Sequence, residues 1–241
     1  MKAVFARLPG SVDARIRGFA IATLVAQILI VGTGGAVRLT GSGLGCPTWP
    51  RCTDDSFVTT PEMGIHGIIE FGNRLLTFVL IAIAIAMFVL VVRMRRERRD
   101  LFVLALVIGL GIPMQGVIGG ITVLTNLNPY VVGLHFVLSI TLVVLSTVLV
   151  YRVFTGPRGS VATAPLWYSA LTHATSVLVG LTILVGILVT GSGPHAGDGG
   201  ASRNGLNPEW LQHVHSWPAY ATFAATLILV VGAFRLGLAR L

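Results

Sequence analysis

The chain alternates long apolar blocks with short polar ones. Gly18–Val37 has no charged side chain, and the block from about Gly64 to Val92 holds only Glu70 and Arg74. Leu101–Tyr151 has none at all, yet it is far longer than the roughly 20 apolar residues that one membrane helix needs. The turn cluster Thr125-Asn126-Leu127-Asn128-Pro129 divides it in two. Two more blocks cover about Leu166–Val189 and Trp210–Phe234. The pattern predicts an all-α fold: a polytopic membrane helix bundle of six transmembrane helices.

Composition agrees with that pattern. Hydrophobic residues make up 54% of the 241 and charged residues 11%, against about 25% charged in soluble domains. The net charge of +8 raises nucleic acid as a partner, but the placement of the charges excludes it. Thirteen of the seventeen Lys and Arg fall in four segments: Lys2 to Arg17, Arg93 to Arg99, Arg152 with Arg158, and Arg235 with Arg240. With six spans all four lie on one side. The other side has Arg51 and Arg203, with Arg38 at a helix end. By the positive-inside rule both termini are cytoplasmic, and the expected location is a bacterial plasma membrane. The first block lacks a small-residue cleavage pattern and reads as a retained helix. Cys46 and Cys52 share one outer loop, which points to a disulfide or redox pair on an oxidising side; two free thiols are the alternative.

An internal repeat is visible. Thr40-Gly41-Ser42-Gly43 closes the first block and Thr190-Gly191-Ser192-Gly193 the fifth. Each leads through a long outer loop into a helix with a polar head, Glu70 to Asn73 in one case and Gln212 to His215 in the other. The expected organisation is a four-helix half over residues 1–158 and a second, two-helix half over 159–241.

Ionisable groups inside a span are costly and mark function by default. His66, Glu70 and Asn73 are spaced by four and three residues and share one helix face. His135, His213 and His215 enter from the same outer side at similar depth. Histidines from different helices at one level suit axial ligation of a haem iron; helix packing is the plainer reading of each alone. His213 and His215 point about 200° apart, so at most one faces a given site. Glu70 either pairs with Arg74 one turn on or exchanges a proton, and the two are compatible. Arg74 or Arg38 suits a haem propionate; for Arg38 a lipid phosphate is the alternative. His173 reads as structural, and the role of His195 stays open.

The stretch Arg38-Leu39-Thr40-Gly41-Ser42-Gly43-Leu44-Gly45-Cys46-Pro47-Thr48-Trp49-Pro50-Arg51-Cys52 resembles the first outer loop of the haem A synthase family. Ile69-Glu70-Phe71-Gly72-Asn73-Arg74 is similar to that family's second-helix motif, and Gly133-Leu134-His135-Phe136 to its fourth. The resemblance implies eight helices in two similar halves, six of them in this chain. It implies oxidation of the C8 methyl of haem O to the formyl of haem A. Carried over, Glu70 is the catalytic carboxylate, His135 a substrate-haem ligand and His215 a ligand of a haem b cofactor. Cys46 and Cys52 match the family's cysteine pair. Asn73 stands where many members have histidine, which leaves His135 alone or with His66 for substrate haem.

Expected partners are haem O, haem O synthase, an electron donor, membrane lipid and a second copy of the chain. Three readings compete: the enzyme; a non-catalytic haem-binding or electron-transfer protein, including an inactive shortened homologue; and a transporter. The co-occurrence of Glu70, the cysteine loop and His135 favours the enzyme.

Overall fold

The computed structural model describes residues 8–156 and 164–238. Lys2, Arg7, Arg158 and Arg240 of the charge pattern, and the expected boundary between the halves, lie outside them. The described residues form six helices long and apolar enough to cross a membrane and no strand. They are α1 (Ala14–Leu39), α2 (Gly64–Val91), α3 (Arg99–Leu124), α4 (Pro129–Thr155), α5 (Leu166–Ser192) and α6 (Pro208–Arg235).

Local chemistry sets the helix ends. Asp13 caps α1 by accepting from the Ile16 N–H at 3.1 Å. Asn128-Pro129 and Asn207-Pro208 start α4 and α6 in the same way: the asparagine side chain accepts a first-turn N–H, and proline occupies the first helical position, where no N–H is needed. α1 begins four residues before its apolar block because Arg15 and Arg17 continue the helix on the polar side of the membrane. At its other end Gly41, at φ 66°, turns the chain into the left-handed region. Its N–H bonds to the Arg38 carbonyl and that of Ser42 to the Val37 carbonyl, a glycine-dependent helix stop. The matching Thr190-Gly191-Ser192 behaves differently: α5 runs through it and ends at Ser192.

α1, α2, α3 and α4 pack as a ring in which each helix touches the next and α4 returns to α1; α5 packs on α4, and α6 on α5. Lipid is as apolar as these side chains, so contact depends on close packing and small residues rather than on exclusion from water. Gly111 admits Leu142, Gly133 admits Ile187, and Gly232 admits Trp167 and Tyr168. The half of the ring at the N-terminal end of α1 is solid, filled by Ile16, Met87, Val91, Leu101, Ile108 and Leu149. The opposite half is not.

Candidate functional site

This opposite half of the ring surrounds a cavity of about 1050 Å³ that extends past α4 to α5 and reaches α6 at His215. That is the upper end of the ~300–1,000 Å³ usual for small-molecule sites. Its wall is mostly apolar, with polar side chains contributed by all six helices.

Glu70 lies two turns into α2 and is 6% exposed. Its Oε2 accepts the Cys46 backbone N–H at 2.6 Å, and its Oε1 accepts Arg74 Nε at 3.1 Å. Arg74 also donates to the carbonyls of Cys46 at 3.0 Å, Thr48 at 3.1 Å and Arg51 at 3.2 Å. One guanidinium therefore ties three backbone carbonyls of this loop to the helix that carries the carboxylate. Cys46 and Cys52 form a disulfide within this loop, and both are fully buried. The loop lies against α2 so closely that a side chain at Gly45 would overlap the His66 carbonyl. Trp49 from the same loop fills the space beside Gly120 of α3, and Trp49 and Pro50 line the cavity.

Asn73 is one turn below Glu70, and its Oδ1 accepts from Thr33 Oγ1 of α1 at 2.7 Å. Its carbonyl oxygen is thus occupied, and its amide group remains as a donor on the wall. On α4 the His135 backbone carbonyl accepts Gln115 Nε2 at 3.1 Å and Ser139 Oγ at 2.9 Å. The His135 imidazole itself makes no hydrogen bond: Nδ1 is buried without a partner. Gly119 of α3 lies across from the ring, and a Cβ there would stand 3.4 Å from its Cε1. His215 repeats this arrangement, with Nδ1 buried and unpartnered and Gly186 of α5 across from it, a Cβ there standing 3.0 Å from Cε1. Arg38 donates to the His195 carbonyl at 3.4 Å while its Nε is buried and unpartnered.

The fold thus gathers Glu70, Arg74, Arg38, His135 and His215 around one cavity. It leaves His66 apart: that ring is exposed, bonds Ser42 Oγ through Nδ1 at 2.9 Å, and is not among the lining residues. His173 and His213 are also exposed and off the wall. Sequence reasoning missed Gln27, Gln115 and Trp49, all on the wall. Uncharged amides in a span, rare in apolar helices, were the available signal for the two glutamines.

Among the described residues, five buried side-chain polar atoms lack partners: Gln27 Nε2, Arg38 Nε, Gln115 Oε1, His135 Nδ1 and His215 Nδ1. All five residues line this cavity. Buried polar groups are normally satisfied, so such a cluster marks a wall shaped for a ligand with polar points. Two unbonded imidazoles and a free guanidinium nitrogen fit a haem: imidazole nitrogen for iron, cation for propionate.

Residues 17–240 match the family model described as cytochrome oxidase assembly protein, COX15-CtaA. The chain is similar to the heme A synthase of Staphylococcus epidermidis, 24% identical over 227 residues that cover 89% of this chain and 74% of that protein. It is 28% identical over 142 residues to the heme A synthase of Alkalihalophilus pseudofirmus, covering 57% of this chain and 47% of the relative. The heme A synthase of Halalkalibacterium halodurans is 31% identical over 138 residues, covering 56% and 46%. These matches span about half the length of the latter two relatives. No solved structure matches the chain.

Proposed function

The chain belongs to the cytochrome oxidase assembly protein family COX15-CtaA, and from that membership we propose that it oxidises the C8 methyl of haem O to the formyl group of haem A. The observation that carries this reading is the cavity wall itself: every buried, unpartnered side-chain polar atom among the described residues belongs to it, beside a buried carboxylate.

In this reading His135 would supply an imidazole nitrogen to the iron of substrate haem, and the four-helix ring is the substrate half. His215 would hold a haem b cofactor, which when bound supplies electron transfer. Arg38 meets a propionate with its free Nε. Converting a methyl to a formyl takes an oxygen atom, supplied in net terms by water, and releases protons together with electrons that pass to the redox partner; Glu70 would take one of the protons. Arg74 and the Cys46 N–H hold that carboxylate at both oxygens, which fixes its position on the wall. Asn73 does not ligate iron, since an amide is a poor ligand and its oxygen is already bonded to Thr33. The reaction needs a supplier of haem O, a haem O synthase, and a redox partner. The chain sits in the cell membrane with both termini cytoplasmic, so the cavity opens in the outer leaflet.

The test is expression in cells that make haem O but no haem A, followed by pigment extraction and an absorption spectrum of the detergent-purified protein. Haem A should appear only with the protein present, and the purified protein should carry haem. A colourless protein and unchanged pigments would overturn the reading.

A further inference from the structure

The floor of the cavity holds a second unexplained feature. Gln27 lies near the middle of α1, about 18 Å from its outer end at about 1.5 Å per residue. It is 2% exposed, and its amide makes no hydrogen bond among the described residues. Around it the floor is apolar, with buried Leu80, Ile112 and Leu142 on the other three helices of the ring. One turn below, Thr23 bonds the Phe19 carbonyl at 2.8 Å and the bundle closes. An amide here has no bulk water to satisfy it, and a propensity or packing role would be better served by an apolar side chain.

Gln115 on α3 supplies the complement. Its Nε2 donates to the His135 carbonyl and to Ser139 Oγ, which fixes the orientation of the amide. Its Oε1 is left as an acceptor, buried and without a partner. The two residues line the same cavity, Gln27 with an unused donor and Gln115 with an unused acceptor. A hydroxyl is the small neutral group that both accepts and donates. A charged group would find no counter-ion here, because Glu70 and Arg74 satisfy each other nearer the mouth.

We propose that Gln27, with Gln115, forms a subsite for a hydroxyl carried on an apolar substituent of the ligand in this cavity. The proposal rests on the reading of the substrate as haem O. Haem O bears a long alkyl chain with a hydroxyl at its root where haem b bears a vinyl group, so the subsite makes Gln27 a specificity determinant between the two. A site built to bond a hydroxyl discriminates strongly against the analogue that lacks it.

The test is Gln27→Met, which keeps an unbranched side chain and removes only the amide. Loss of an unpartnered buried amide should leave thermal stability unchanged. Wild type and variant are compared in a His215→Ala background, which removes the haem b cofactor site; each is purified in detergent and titrated separately with haem O and haem b, with binding read from the Soret band. Gln27→Met should weaken haem O binding about tenfold and leave haem b binding unchanged. The wild type should prefer haem O. An unchanged haem O to haem b ratio, or equal weakening of both, would show that the amide is satisfied by trapped water and overturn the subsite. A variant that fails to fold would overturn it as well, because Gln27 would then be a structural residue. A wild type that binds neither haem would instead refute the functional reading on which the subsite rests.

Discussion

Cys46 and Glu70 are joined by a buried hydrogen bond, in which the Cys46 backbone N–H donates to Oε2 of Glu70 at 2.6 Å. With Arg74 on Oε1, the carboxylate is oriented from two sides, by the outer loop and by its own helix. Charge-assisted bonds of this kind are about twice as strong as neutral ones, so loop and carboxylate are placed as a unit.

Glu70→Gln tests whether that carboxylate does more than brace the loop. Glutamine keeps the size and can still accept one of the two bonds, but it cannot take a proton. Formation of haem A should fall by about 10²–10⁴ while bound haem stays near the wild-type level. Product is measured by chromatography of extracted pigment and occupancy by the spectrum. Wild-type turnover would leave Glu70 as a partner of Arg74 and Cys46 alone.

The disulfide should be present in protein isolated without reductant, giving an intact mass two hydrogens below that of the reduced chain. Replacing Cys46 and Cys52 together by serine should lower the melting temperature in detergent, with a cost of about 2–4 kcal/mol. It should also lower turnover more than haem binding, because the loop it secures supplies the Cys46 N–H to Glu70. Two free thiols in the isolated protein would reject the pairing.

His135→Ala and His215→Ala should each reduce bound haem, and they should do so differently. Loss of His135 should remove the substrate haem and leave a haem b spectrum, whereas loss of His215 should remove haem b. Pigment analysis of the two purified variants separates these outcomes. Unaltered spectra in both would remove the histidines from the ligand set.

Gly120 and Gly119 make a matched pair for packing. A Cβ at Gly120 would lie within the Trp49 indole, whereas one at Gly119 would stand in ordinary contact with His135. Gly120→Ala should therefore destabilise the protein by about 1–3 kcal/mol, the usual range for overpacking. Gly119→Ala should melt close to wild type. Thermal unfolding of both in one detergent checks the contrast.

The six helices were legible because hydrocarbon demands long uncharged runs and tolerates little else. Their ends were less so: hydropathy marks the immersed length, and α1 continues out to Asp13 through Arg15 and Arg17. The shared face of His66, Glu70 and Asn73 follows from helical geometry, yet spacing says nothing of depth, and His66 turns out to bond Ser42 above the cavity. The bond from Cys46 to Glu70 had no signal in the sequence, since a backbone N–H is the same on every residue. The same holds for the carbonyls that Arg74 gathers from Cys46, Thr48 and Arg51. Gln27 escaped notice because a neutral amide barely dents a hydropathy window.

The three outer loops are stitched together. The Gly43 N–H reaches the Gly197 carbonyl at 2.8 Å, the Ser202 N–H reaches the Asn126 carbonyl at 2.9 Å, and Leu127, Ala196 and Ala201 pack into a small apolar cluster between them. These loops border the cavity at one end, while Leu75 and Phe78 of α2 and Val117 of α3 both line it and stand exposed on the flank of the bundle. A ligand dissolved in the bilayer would reach the cavity from that flank. Its effective concentration is then a mole fraction in the membrane rather than a molarity in water. Lipid-to-protein ratio, more than the bulk amount of pigment added, becomes the variable that sets occupancy.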